Sequence, residues 1–204
     1  RMQCARTAIA DRAPAPDTDL TTLHIRCGSD IRERLKEAGF VGDFLEVSDP
    51  VAQGPVPRDG DLIAARSRFI CESYGVSYAN AESRLTREYG ELRQAFDRYQ
   101  RLVLWFEHDS YDQLSLARVL AEAAAQRSLP AMELICIDRF PIITRFIGLG
   151  HLSPAALRAL WDERRRVTPA LRKLGTAVWN TLREPSPMAL HAIAVGGTPE
   201  LPII

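Results

Sequence analysis

Polar and acidic side chains follow four short apolar stretches of this chain, at the points where strands are predicted to end. They are Ser29 and Asp30, then Ser48 and Asp49, then Glu107, His108, Asp109, Asp112 and Gln113, and last Asp138. Carboxyl and imidazole groups are the usual general acids and bases of enzymes. Because carboxylates that share a site repel one another, some must be paired, protonated or bound to a cation. The candidate partners are four arginines, Arg66, Arg68, Arg139 and Arg145.

The elements that would carry these side chains alternate between strand and helix. The predicted strands cover residues 23–27, 44–47, 102–106 and 134–137, and the predicted helices cover 31–38, 61–74, 80–99 and 110–126. Such alternation is typical of βαβ units. We therefore predict an α/β fold with a mostly parallel sheet of about four strands and flanking helices, followed by an α-helical C-terminal part. Ligands of parallel sheets bind beyond the carboxyl ends of the strands, which is where the polar groups lie.

Local signals mark the beginnings of several helices. Asn80 is the predicted N-cap of the third helix, and the segment 110–113 has the S-x-x-Q form of a capping box. A serine or threonine followed by proline predicts three later helices, which begin after Ser153, Thr168 and Ser186. The segment 110–126 is apolar nearly all round, which predicts a helix at the centre of the domain.

The chain divides into three predicted parts. Residues 1–20 are rich in alanine and proline and are expected to form a disordered leader, residues 21–150 form the α/β domain, and residues 151–204 form a helical subdomain. The chain ends on the apolar residues 201–204, which suggests that the natural protein continues.

The composition of the chain limits which kinds of partner and which cellular compartment are expected. Lys+Arg and Asp+Glu are both 26, so the formal net charge is zero and nucleic-acid binding over the whole surface is disfavoured. The basic run 164–166 is read as a solvated helix end in preference to a nucleic-acid patch. The four cysteines lack metal-ligand spacing, and reduced thiols favour the cytoplasm. No secretory signal or membrane-spanning stretch is visible, so no membrane partner is expected.

The favoured hypothesis is an enzyme that performs hydrolysis or group transfer on a small molecule or nucleotide. The predicted catalytic residues are Glu107, His108 and Asp109, with Glu107 or His108 as the acid/base. The predicted substrate-binding residues are Ser29, Asp49, Arg68, Asp112 and Gln113. Asp49 and Asp112 would position a cationic group or a metal-bound phosphate, and Arg68 would hold an anionic group. Self-association into a homo-oligomer is left open.

Each assignment has a structural alternative. Asp109 or Ser110 caps the following helix, Asp49 with Pro50 starts a turn, and His108 is a hydrogen-bonded structural histidine. The cofactor is unknown. A divalent metal is the less favoured alternative, with Asp49, Glu107 and Asp109 as its candidate ligands. The consecutive residues Glu107, His108 and Asp109 cannot all converge on one ion unless the strand has ended, because adjacent strand residues point to opposite faces.

The rival function is a non-catalytic ligand-sensing or protein-interaction module. Its acidic edge would bind an amine or a basic segment of a partner. Neither a dinucleotide fingerprint nor a P-loop is present in the sequence, so no specific nucleotide can be named.

Residues 105–114, W-F-E-H-D-S-Y-D-Q-L, resemble a motif of the uncharacterised bacterial family known as domain of unknown function 1835. Shorter matches occur in the same order at 23–25, 49–50 with 54–55, 148–153, 167–168 and 201–202, so the resemblance covers roughly residues 22–204. Relatives usually have Gly-Asp-Ser where this chain has Gly-Ser-Asp at 28–30, and commonly Gln in place of His151. Relatives also run on past the Leu-Pro pair at 201–202. The family has no settled activity, so the resemblance supports the location of the site and leaves the reaction open.

Overall fold

The computed structural model describes residues 14–141 and 143–198. The elements in chain order are β1 (Thr22–Arg26), α1 (Arg32–Glu37), β2 (Asp43–Glu46), α2 (Leu62–Tyr74), α3 (Tyr78–Arg98), β3 (Arg101–Glu107), α4 (Ser110–Ala124), β4 (Ala131–Ile137), α5 (Pro154–Leu160), β5 (Arg165–Arg166), α6 (Pro169–Leu182) and α7 (Met188–Gly196). Short 3-10 turns cover Leu149–His151 and Trp161–Glu163. Within this part of the chain, every helix is too short or too polar to cross a membrane.

The five strands form one sheet in the order β2-β1-β3-β4-β5. The first four strands are parallel, which confirms the predicted α/β class, and β5 adds an antiparallel edge. From β1 the chain moves outward to β2, then returns to the other side of β1 to form β3. The strand order therefore reverses between β1 and β3, and such a reversal opens a crevice at the carboxyl ends of the two strands.

Side chains alternate between the two faces of the sheet, and each face has its own helices. Leu104 and Phe106 belong to a core that includes residues of α3, α4 and α6. Val103 and Trp105 point the other way, into a core that includes residues of α1 and α5. Both faces are covered because continuous apolar strands must be buried on both sides. Helix α4 packs against β3 and α6, which confirms its predicted central position.

The structure describes residues 14–20 of the predicted leader, while residues 1–13 lie outside the described part of the chain. Asp17 is buried and accepts hydrogen bonds from the backbone N–H groups of Val41 and Gly42. Its carboxylate also lies 3.0 Å from His24 Nε2. Burial alone would raise the pKa of Asp17, but these hydrogen bonds outweigh it and lower the pKa. The segment is ordered because this carboxylate satisfies donors of the loop before β2.

The C-terminal part has the predicted helices, and it also contains a short strand that the sequence did not predict. Arg165 and Arg166 form β5 rather than a solvated helix end, and they pair with Leu134 and Glu133 of β4. Arg164 stacks over the Trp161 ring, 3.7 Å from its centroid. The basic run 164–166 therefore extends the sheet, because the stacking of Arg164 on Trp161 holds the run at the edge of β4. The apolar end 201–204 lies outside the described residues.

Three predicted caps differ from the structure in detail. Ser77, not Asn80, caps α3, and its hydroxyl accepts a hydrogen bond from the Asn80 N–H. Asp109 caps α4, so the capping box predicted from Ser110 is wrong. Pro187 occupies the cap position of α7, one residue later than predicted. The predicted caps Ser153 and Thr168 are confirmed.

Candidate functional site

Four charged side chains meet at the carboxyl ends of β1 and β3, where the strand order reverses. We call Arg26, Asp30, Glu107 and Asp112 the Arg26 cluster. The Arg26 guanidinium donates hydrogen bonds to Glu107 and Asp112, and its Nε lies 3.1 Å from Asp30 Oδ1. The side chains of Arg26, Glu107 and Asp112 are 6%, 6% and 3% exposed, whereas that of Asp30 is 40% exposed. Asp30 is thus the solvent-facing member of a buried cluster.

Backbone geometry brings these residues together. Arg26 is the last residue of β1, and its Cα pairs in register with Trp105 of β3, two residues before Glu107. Side chains two apart on a strand share a face, so Arg26 lies beside Glu107. Asp112 is in the first turn of α4, and its carboxylate also accepts from the Glu107 N–H at 2.6 Å. One carboxylate therefore connects the end of β3 to the beginning of α4.

The Arg26 cluster carries more negative than positive charge, with one guanidinium against three carboxylates. Burial raises the pKa of Glu107, although the charge of Arg26 and the Leu149 N–H oppose this. Burial likewise raises the pKa of Asp112 against the charge of Arg26. Burial and the charge of Arg26 therefore act on the pKa of both carboxyl groups in opposite directions, and burial is the larger cause.

A glycine-containing segment, 148–150, closes over the Arg26 cluster. The Leu149 N–H donates to Glu107 Oε1 at 2.7 Å, and Leu149 itself is fully buried. A Cβ at Gly148 would lie 2.6 Å from Glu107 Oε2, and a Cβ at Gly150 would lie 2.6 Å from Asp30 Oδ2. Both positions need glycine because the backbone runs directly against carboxylate oxygens.

A second buried polar group lies beyond β2 and includes Asp49. Asp49 Oδ1 accepts from Arg66 at 2.8 Å and its Oδ2 accepts from the Tyr89 hydroxyl at 2.8 Å. Glu88 pairs with Arg118 at 2.5 Å and accepts from the Asp49 N–H at 3.4 Å. Unlike the Arg26 cluster, this Asp49 group has equal numbers of buried carboxylates and guanidinium groups. Its pairing indicates a structural role in anchoring α2 and α3.

Tyr111 lies between the two groups. Its hydroxyl donates to the Ser48 carbonyl at 3.3 Å. Burial, followed by the charges of Cys27, Glu88 and Asp49, raises the pKa of Tyr111 to about 12. Asp49 and Glu107 nevertheless take part in separate hydrogen-bonded groups, so the prediction that they line one site is not supported by their contacts.

The remaining predicted site residues have different surroundings. His108 is exposed and lies beside Phe146, with a distance of 6.2 Å between the ring centroids. Asp109 caps α4 by accepting from the Asp112 N–H at 2.9 Å. Ser29 is exposed next to Asp30. Arg68 is exposed on α2, and among the described residues it makes no hydrogen bond or ion pair with either polar group.

Gln113 is buried at the start of α4. Its Nε2 donates to the Glu107 carbonyl and lies 3.3 Å from Cys136 Sγ. Its Oε1 is buried without a hydrogen-bond partner among the described residues. Gln113 therefore holds the end of β3 in place through the backbone carbonyl of Glu107, a member of the Arg26 cluster.

The metal alternative is not supported. Within residues 14–141 and 143–198, no three His, Cys, Asp or Glu side chains are arranged to hold a metal ion. Asp49 is bound by Arg66, Glu107 by Arg26, and Asp109 by a backbone N–H. In the Arg26 cluster the guanidinium itself occupies the position between the carboxylates that a cation would take.

Two residues of the candidate site were not predicted from the sequence. Arg26 is a lone formal charge in the predicted strand 23–27, and that position was the available signal. Cys27 has no predicted role in the site, yet its thiol donates to Asp112 at 2.6 Å. Burial strongly raises the pKa of the Cys27 thiol, so it stays protonated and acts as a donor.

Comparison with known proteins gives no relative: no family model, no curated protein and no solved structure matches the chain.

Proposed function

We propose that the chain is an enzyme that acts on a small polar molecule at the Arg26 cluster, by hydrolysis or group transfer. The carrying observation is that three carboxylates from three different segments converge on one buried guanidinium at the β1–β3 reversal. Crevices at such reversals are the usual ligand sites of open parallel sheets. The motif 105–114 that resembles domain of unknown function 1835 includes Glu107 and Asp112.

In this proposal Glu107 is the acid/base. Its raised pKa favours the protonated form, while Arg26 stabilises the ionised form after the proton is given up. The excess of negative charge favours a substrate that presents a cationic or hydrogen-bond-donating group. Asp30 is the exposed carboxylate that such a group would meet first. The exposed Ser29 and His108 follow the ends of β1 and β3, the two strands at the reversal, and are candidates for contacts with the rest of the substrate.

The second candidate is a non-catalytic ligand-sensing or protein-interaction module. The observation that favours it is the near-complete burial of Glu107 and Asp112 beneath Leu149. Buried ion pairs are often structural. The Arg26 cluster would then have the single role of joining β1, β3 and α4. In that case the exposed Asp30 edge would bind an amine or a basic segment without turnover.

A turnover screen with matched variants separates the two candidates. The purified protein is incubated with panels of phosphoesters, amides, glycosides and nucleotides, and product formation is followed by mass spectrometry. Glu107→Gln keeps the shape of the side chain but cannot transfer a proton. Glu72→Gln, an exposed position on α2, removes the same charge far from the cluster contacts.

The enzyme proposal expects turnover of at least one class, lost in Glu107→Gln and kept in Glu72→Gln, with both variants folded by circular dichroism. Full activity in a folded Glu107→Gln variant would refute the role of Glu107. Binding of an amine without turnover in any panel would favour the module.

The proposal extends to the cellular setting. The three described cysteines, Cys27, Cys71 and Cys136, form no disulfide. We propose a cytoplasmic protein, since reduced thiols persist in reducing compartments. A membrane partner and a nucleic-acid partner are not part of the proposal.

A further inference from the structure

The β5 edge of the sheet carries a positively charged groove that the proposed reaction does not use. The groove has a volume of about 360 Å³ and is lined by Leu134, Arg165, Arg166, Thr168 and Leu171. Arg165 and Arg166 are exposed, and neither makes an ion pair with another described residue. Among the described residues that line the groove none is acidic, and Glu133, which lies opposite Arg166 on β4, is already paired with Arg164 at 2.8 Å.

The backbone of β5 offers hydrogen-bonding groups at this groove. Among residues 14–141 and 143–198, β5 is the last strand of the sheet and pairs with β4 alone. The Val167 N–H, directly after β5, donates to the Met132 carbonyl of β4 at 2.9 Å. Backbone groups alternate in direction along a strand, so the N–H and C=O of Arg166 point away from β4 toward the open edge. Open edges of this kind accept an additional strand.

The sides of the groove explain which partner fits it. Leu134 and Leu171 are buried core residues that form an apolar floor. Arg165 lies in register with Leu134, so its side chain shares the face of this floor. A ligand that fits the open strand edge, the apolar floor and the arginine charges has an extended backbone, apolar side chains on one face and carboxylates nearby.

We propose that the β5 edge binds an extended acidic peptide segment of a partner protein, which adds to the sheet as a sixth strand next to Arg165–Arg166. This inference is independent of the reaction proposed for the Arg26 cluster. A peptide is favoured over nucleic acid because no aromatic side chain lines the groove to stack on bases. The basic run 164–166, noted in the sequence, thereby acquires a specific role.

Fluorescence anisotropy with a labelled peptide tests the proposal. The probe is a short peptide of alternating glutamate and valine, titrated with the full chain at low salt. Two further peptides are N-methylated at alternate residues, so that each peptide has the N–H groups of one of its two edges blocked. The protein variants are Arg165→Gln with Arg166→Gln, and the control pair Arg84→Gln with Arg87→Gln, which removes two exposed arginines from α3.

Strand addition predicts saturable binding that is abolished by N-methylation of one peptide edge and kept after methylation of the other. The Arg165/Arg166 double variant should bind about tenfold more weakly, equivalent to ~1.4 kcal/mol, whereas the Arg84/Arg87 control should bind like the wild type. The proposal is overturned if both methylated peptides bind equally, if the two double variants behave alike, or if no saturable binding occurs. Tighter binding of a single-stranded oligonucleotide than of the peptide would also overturn it.

Discussion

Removal of the Arg26 guanidinium is the most informative perturbation of the candidate site. Arg26→Met keeps much of the side-chain volume but leaves Glu107 and Asp112 without their cation. These two carboxylates are 6% and 3% exposed, so water cannot replace the lost partner. Loss of one partner from a buried pair costs roughly 3–5 kcal/mol. The pair with Asp30 adds little, because that carboxylate is 40% exposed and solvated.

The loss of stability caused by Arg26→Met should depend on pH. Without Arg26, the folded-state pKa values of Glu107 and Asp112, which burial already raises, rise further. A carboxyl with a raised folded-state pKa destabilises the fold above that pKa and regains stability as pH falls through it. We therefore expect the full loss at about pH 8 and a smaller loss toward about pH 5.

Urea unfolding followed by circular dichroism measures this effect. With a slope of about 2 kcal/mol per molar urea, the expected loss moves the midpoint down by roughly 1.5–2.5 M. Arg139→Met is the control, because Arg139 is an exposed arginine at the same edge, 3.8 Å from Asp138. It should cost less than ~0.5 kcal/mol. A loss below about 1 kcal/mol for Arg26→Met, or a loss that does not change with pH, would refute the assignment of a buried, charge-excess cluster.

Three further substitutions test neighbouring parts of the account. Gly148→Ala places a Cβ 2.6 Å from Glu107 Oε2, so thermal unfolding should show a loss of roughly 1–3 kcal/mol; an unchanged melting temperature would contradict this contact. Asp49→Asn leaves the fully buried Arg66 without its counter-ion and should cost roughly 3–5 kcal/mol in urea, and a stable variant would show that Arg66 does not depend on the charge. Asp17→Asn should be less stable than the wild type near neutral pH. Because the folded-state pKa of Asp17 is lowered, this difference should vanish as pH falls through that pKa, and a constant difference in acid titrations would argue against the ionised carboxylate.

The fold was largely predictable because its strongest signals are local. The apolar stretch 102–106 is too continuous for a surface strand, and the structure buries every residue of β3. The four-and-three spacing of Leu85, Tyr89, Leu92 and Phe96 predicts a helix packed by one face, and these residues are buried in α3. β5 was not predictable, because the pairing of its two arginines with β4 depends on the folded chain and not on local sequence. It requires the positions that Trp161 and Val167 take next to β4.

The location of the site was predicted better than its composition. Parallel strands place their carboxyl ends at one edge, so Glu107 and Asp112 could be expected near the end of β1. The separation of Asp49 from them could not, since it depends on Arg66 of α2 reaching back across the loop 50–61. Arg26 was overlooked because it lies between Ile25 and Cys27 in a predicted strand, and nothing local shows that a buried arginine faces three carboxylates.

The most direct test of the account is a map of where a small ligand binds. The ¹⁵N-labelled protein is titrated with a panel of amines, guanidines and nucleosides, and amide shifts are followed by NMR spectroscopy. We predict saturable shifts at Asp30 within the Arg26 cluster and at its neighbours His108 and Leu149, and the loss of these shifts in Glu107→Gln. Shifts confined to another surface, or shifts at the cluster that persist unchanged in that variant, would contradict it.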